Sequence, residues 1–168
     1  FLNKNFNAYI MFTSGSTGEP KGAIISHKNL KFFIDWVKKT FCKYSMNFSN
    51  LNPLHFDNSV FDVYGSLFNS NQLIPIDNYE FLNPEKLLLK LKKLKCDIWF
   101  SVPSLLNMIL EISNKNKFKN SRFKFMIFGG ERFPVYGVRQ IYKYLKNTKI
   151  INVSGPTECT CICSAHHV

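Results

Sequence analysis

Apolar residues fall along this chain in two alternating patterns: short runs bounded by turn residues, and longer stretches in which they recur every three or four positions. The runs Tyr9 to Phe12, Ala23 to Ile25, Leu73 to Ile76, Asp97 to Val102, Phe123 to Phe128 and Lys149 to Val153 read as strands. The stretches between them read as helices. Ser26 is placed to cap a helix running through Trp36, Ser59 to cap Val60 to Phe68, and Asn83-Pro84 has the cap-then-proline order expected before Glu85 to Leu94. Pro103 and Pro134 open two further helical patterns. Strand and helix in alternation predict βα units, and so the α/β fold class with a mainly parallel sheet flanked by helices. The polar run Ser113 to Arg122 is the linker-like stretch, and neither a repeat nor a second domain is visible.

The strand Tyr9 to Phe12 runs directly into Thr13-Ser14-Gly15-Ser16-Thr17-Gly18-Glu19-Pro20-Lys21-Gly22. Glycines let several backbone N–H groups converge on one anion, hydroxyls add donors, and a lysine adds a mobile point charge. That composition fits a loop that wraps a polyphosphate. It is not a Walker A loop, because Gly18 is followed by Glu-Pro-Lys-Gly where that pattern requires Gly-Lys-Ser/Thr at its end. An ordinary Ser/Gly surface loop would need neither the Lys-Gly after a proline nor apolar strands on both sides.

The segment Tyr9 to Leu30, YIMFTSGSTGEPKGAIISHKNL, resembles the phosphate-loop signature of the adenylate-forming enzymes, which include acyl-CoA synthetases, luciferases and the amino-acid adenylation domains of nonribosomal peptide synthetases. Further along, Phe56-Asp57-Asn58-Ser59 resembles the F-D-x-S motif of the amino-acid branch, Gly129-Gly130-Glu131 the G-G-E element, and Asn152-Val153-Ser154-Gly155-Pro156-Thr157-Glu158 the N-x-Y-G-P-T-E motif. The order is that of the family, and the motifs cover nearly the whole chain. Wording around Phe33 to Trp36 and Trp99 to Ser104 is most similar to D-alanine:carrier-protein ligases. The resemblance implies part of the large N-terminal domain of an adenylate-forming enzyme.

Composition narrows the reading further. The 168 residues, 45% of them apolar, suit one domain-sized unit with a core. The chain begins at Phe1 and stops at Val168 in an apolar, Cys-rich run, so it is expected to be an internal fragment, 1–168 of one partial adenylation domain without the small C-terminal domain. No leader and no membrane-spanning apolar run is present in these residues, and the expected location is cytoplasmic. A net charge of +11 raises the question of nucleic acid, but the lysines are scattered, and their densest cluster, Lys86 to Lys95, lies on an amphipathic helix pattern. Heavy use of Lys, Asn, Phe and Ile also fits an AT-rich coding bias, and no nucleic-acid partner is expected. Cys159, Cys161 and Cys163 alternate, which in a strand puts all three on one face, a geometry for packing rather than for zinc. His27 and His55 read as local hydrogen-bonding residues, and His166-His167 as no metal site.

The resemblance assigns roles residue by residue. Thr13, Ser14, Gly15, Ser16, Thr17, Gly18 and Lys21 are expected at the β and γ phosphates of ATP. Gly129, Gly130, Glu131, Asn152, Ser154, Gly155 and Thr157 join the nucleotide site, with Thr157 at the α-phosphate and Glu158 as the Mg2+ ligand. Lys21, Thr157 and Glu158 form the catalytic set. Asp57, a carboxylate beside Phe56 and Phe61, needs a cation if it is buried. The α-ammonium of an amino acid supplies one. Asn58, Phe61, Ile127, Gly129 and Val153 complete the expected side-chain pocket, which points to a small neutral amino acid such as alanine. The aminoacyl-AMP is then passed to a carrier-protein phosphopantetheine thiol. Ser154 departs from the family, which has there an aromatic ring that packs on adenine; Phe128 is a candidate replacement. An acyl- or aryl-CoA synthetase, or a degenerate nucleotide-binding module without turnover, are the alternative readings.

Overall fold

The computed structural model describes residues 6–13, 18–112 and 118–168. Its centre is a six-stranded sheet in the order β4-β3-β5-β6-β7-β8. The strands are β3 (Asn47–Asn50), β4 (Gln72–Pro75), β5 (Ile98–Ser101), β6 (Phe125–Phe128), β7 (Lys149–Ser154) and β8 (Ser164–His167). Neighbours from β4 to β7 pair in parallel, and β8 is antiparallel to β7. The predicted mainly parallel α/β sheet is therefore present.

Each central strand is buried on both faces, and its alternate residues enter two different cores. Trp99, Met126, Phe128 and Ile150 face α4 (Pro84–Lys93), α5 (Pro103–Ile112) and α6 (Val135–Tyr144). Ile98, Phe100, Ile127, Ile151 and Val153 face α1 (His27–Phe41) and α2 (Asn58–Leu67). A short helix, α3 (Asn78–Phe81), precedes α4. Helix α1 begins where the sequence predicts: the Ser26 hydroxyl accepts from the Asn29 amide at 3.2 Å, and Asn29 answers by accepting from the Ser26 amide at 3.3 Å. It runs five residues past Trp36 because Leu30, Phe33, Val37 and Phe41 form one buried stripe.

Four sequence expectations need correction. The strands flanking the phosphate loop, β1 (Asn7–Thr13) and β2 (Lys21–Ser26), form an antiparallel hairpin apart from the main sheet. A connection of seven residues can join only antiparallel neighbours, since a parallel crossover needs about a dozen or more. Helix α2 starts at Asn58, one residue before the expected cap; Ser59 lies inside it and donates to the Leu54 carbonyl at 3.4 Å. Strand β3 is absent from the predicted set because its sequence, Asn-Phe-Ser-Asn, offers one apolar residue. The three alternating cysteines do not share a strand face. They lie on a 3-10 turn (Thr157–Cys159) and the bend after it, where Thr160 has φ of +77°, and only Cys161 is buried.

Candidate functional site

The strand order reverses direction between β3 and β5, since the chain passes from β3 outward to β4 and then returns to the other side of β3. In open α/β sheets such a switch point opens a crevice beyond the carboxyl ends of the strands. A cavity of about 530 Å³ lies there. Its walls come from the residues just after four parallel strands: Leu51 to Pro53 after β3, Ser101-Val102 around the end of β5, Gly129 to Glu131 after β6, and Val153 to Gly155 at the end of β7. Phe56, Asp57 and Asn58, at the start of α2, close one side.

Asp57 is half-buried and precedes the first turn of α2, yet its carboxylate makes no capping bond to that helix. It is turned toward the loop after β7, where the Thr157 hydroxyl donates to Oδ2 at 2.8 Å. Asn58, Gly129 and Val153 also line the cavity. Phe61 and Ile127 do not; both are fully buried in the core on the α1/α2 side. Phe61 sits edge-on to Phe41 at 5.4 Å and to Phe100 at 5.1 Å, and such contacts hold it in the core rather than at the cavity wall.

Gly130, Glu131, Ser154 and Gly155 line both this cavity and a neighbouring one of about 680 Å³, which adds Asn152 and Phe133. The two Glu131 carboxylate oxygens are engaged by Ser104, through its amide at 3.1 Å and its hydroxyl at 2.9 Å. Glu131 thereby ties the glycine pair to the start of α5, where a negative charge is favoured. Gly130 has φ of +83°, which a residue with a Cβ adopts only under strain. Phe128, the candidate replacement ring, is fully buried and packs on Phe133 at 4.5 Å between centroids. The aromatic residue that borders the second cavity beside Ser154 is Phe133.

The hairpin contributes Thr13 and Lys21, which face each other across its strands, and Gly18 with φ of +91°. Lys21 is exposed, and the Thr13 hydroxyl donates to its carbonyl at 3.4 Å. Ser14, Gly15, Ser16 and Thr17 lie outside the described residues. Tyr9 fastens the hairpin to the loop after β7: its hydroxyl donates to the Thr160 carbonyl at 3.3 Å, and its ring stacks over Tyr64. Burial, with Cys161, Asp57 and Tyr64 adding repulsion, pushes the Tyr9 phenol above its ordinary range, so it remains a proton donor. Glu158 is exposed on the 3-10 turn next to Thr157, and among the described residues no group of three His, Cys, Asp or Glu side chains could hold a metal.

Several lining residues escape the sequence reading. Ser101 and Val102 stand at the carboxyl end of a predicted strand, and the rule for open sheets could have found them. Cys161 and Ile162 reach the cavity only because the chain turns back at Thr160. Burial raises the Cys161 thiol well above its usual range, with Asp57 adding to the rise. Asn52 is fixed by the buried Asp62, whose Oδ2 accepts from the Asn52 amide at 3.1 Å and its side-chain nitrogen at 3.0 Å.

Residues 2–168 match the AMP-binding enzyme family. Over 162 residues the chain is 35% identical to the L-proline--(L-prolyl-carrier protein) ligase of Pseudomonas fluorescens, covering 96% of this chain and 32% of that protein. It is 35% identical over 160 residues to the D-alanine--D-alanyl carrier protein ligase of Listeria monocytogenes, covering 95% and 31%. The chain thus spans about a third of the length of these relatives. Among solved structures, the Vibrio cholerae adenylation domain AlmE, in complex with glycyl-adenosine-5'-phosphate, superposes with a TM-score of 0.85 at 27% identity, over 99% of this chain and 31% of that one.

Proposed function

Because the chain belongs to the AMP-binding enzyme family, we propose that it is part of the large N-terminal domain of an enzyme that activates a small amino acid with ATP and passes it to a carrier-protein thiol. In this reaction a carboxylate oxygen of the amino acid bonds to the α-phosphorus of ATP, and the bond from that phosphorus to the departing pyrophosphate breaks. One observation carries the amino-acid reading. Asp57 presents a carboxylate to a mainly apolar cavity in which no lysine, arginine or histidine is found among the described lining residues. An anion in such a place is costly without a cation, and the substrate α-ammonium is the cation this site lacks. Fatty or aromatic acids bring none.

Under this reading Asn58, Gly129, Val153, Cys161 and Ile162 border the substrate side chain, and a small neutral residue is proposed, with D-alanine the first candidate. ATP lies across the second cavity, its base against Phe133 and its phosphates toward Thr157 and the hairpin that bears Thr13, Gly18 and Lys21. Mg2+, when bound, neutralises phosphate charge; a single exposed carboxylate, Glu158, together with phosphate oxygens suits its preference for oxygen ligands. The protein's own part is alignment of two anions and stabilisation of the leaving group.

Amino-acid-dependent ATP–pyrophosphate exchange on the full-length protein tests this. Exchange with one small amino acid is expected, and Asp57→Ala should weaken amino-acid binding by about 2–5 kcal/mol. Exchange driven only by amine-free acids would move the protein to the acyl-CoA synthetase branch, and none with any acid would leave a module without turnover.

A further inference from the structure

The hydrogen bond between Thr157 and Asp57 joins the two halves of the site, and its chemistry makes them interdependent. Asp57 is the group proposed above to receive the substrate ammonium, while Thr157 is the one proposed to meet the α-phosphate. They are 100 positions apart in sequence, just before the first turn of α2 and on the loop after β7, yet the Thr157 hydroxyl donates directly to Asp57 Oδ2 at 2.8 Å. Among the described residues, no other side chain donates to that carboxylate, and it caps no helix amide. A threonine hydroxyl has one proton to donate, and a carboxylate and a phosphate are both acceptors only. The hydroxyl can therefore serve Asp57 or the nucleotide, but not both at once.

We propose that this pair is a donor switch that makes nucleotide binding depend on the amino acid. Without substrate, the Thr157 proton is spent on Asp57. When the substrate ammonium arrives, it gives the carboxylate a charged and stronger donor. Thr157 is released and turns its hydroxyl to the α-phosphate. The two ligands then bind with positive coupling, and the coupling is reciprocal by linkage. The turn that carries Thr157 is built to hold this geometry: the Thr160 amide donates back to the Thr157 carbonyl at 3.1 Å, and Tyr9 holds the Thr160 carbonyl from the hairpin side. This inference rests on the proposed function for both of its ligands, the amino acid at Asp57 and the α-phosphate at Thr157, while the bond between the two side chains is present in the structure.

The test measures binding of α,β-methylene ATP, which cannot be adenylated, to the full-length protein with and without its amino acid. In the unaltered protein the amino acid should tighten the analogue by about fivefold or more. Thr157→Val should bring that ratio close to one, whereas Thr157→Ser, which keeps the hydroxyl, should retain it. Asp57→Ala frees the hydroxyl permanently, and with no amino acid present it should tighten the analogue by about two- to tenfold. A Thr157→Val protein with its coupling intact, or an Asp57→Ala protein with unchanged or weaker affinity for the analogue, would overturn the switch. If no amino acid binds at all, that failure belongs to the amino-acid reading, and the Asp57→Ala arm alone decides the switch.

Discussion

Ser154 shows how far single residues can be read. The family resemblance marks it as a departure from an aromatic position, with Phe128 as the candidate replacement. Burial rejects Phe128: strand alternation turns it into the α4–α6 core, where it packs on Phe133. Phe133 is half-exposed and borders the cavity, and under the proposed function it is the ring the base would meet. Stacking of a base on an aromatic side chain is worth about 1–3 kcal/mol. Ser154→Tyr should accordingly tighten ATP-analogue binding by about 1 kcal/mol or more, and Phe133→Leu should weaken it by a similar amount, as titration calorimetry on the full-length protein can determine. Unchanged affinity in both would mean that the base lies elsewhere. Side-chain identity was legible here; which ring faces solvent was not, because that depends on which core each strand residue enters.

Among the elements, the loop from Gly155 to Cys163 is the one the sequence misjudged most. Its alternating cysteines imitate a strand, but the chain closes on itself so tightly that a Cβ on Gly155 would lie 2.2 Å from the Cys161 carbonyl oxygen and 2.9 Å from the Cys163 nitrogen. Both are backbone atoms and cannot swing aside. Gly155→Ala should therefore destabilise the protein by about 1–3 kcal/mol and depress exchange activity, because the same loop carries Thr157 and Glu158. Thermal unfolding and pyrophosphate exchange on one preparation would check both effects. The capped helices were legible because a cap is a local bond: Ser26 with Asn29, and Asn83 with the Lys86 amide at 3.1 Å. Strand β3 was not, since a four-residue central strand owes its place to its neighbours β4 and β5 rather than to its own composition.

At the scale of the whole molecule, Asp62 is a fully buried carboxyl whose Oδ1 has no hydrogen-bond partner among the described residues. Burial raises its pKa well above the usual carboxylate value, partly opposed by the donors Asn52 and Asn50. A carboxyl that holds its proton more tightly when folded contributes most below the unfolded pKa of about 3.9, and that contribution is lost as pH rises through the folded pKa. Asp62→Asn removes this titration. The variant should lose less thermal stability than the unaltered protein as pH rises above about 4, and parallel losses would show that Asp62 is not the group responsible. The sequence by itself determined the βα alternation and the family, because periodicity, caps and glycine-rich loops are encoded over a few positions. Only the tertiary structure decided that the phosphate-loop strands form a separate hairpin, that Phe61 and Ile127 belong to the core, and that Asp57 meets Thr157. Those outcomes depend on which distant strands lie side by side, and contacts across 100 residues leave no local pattern to read.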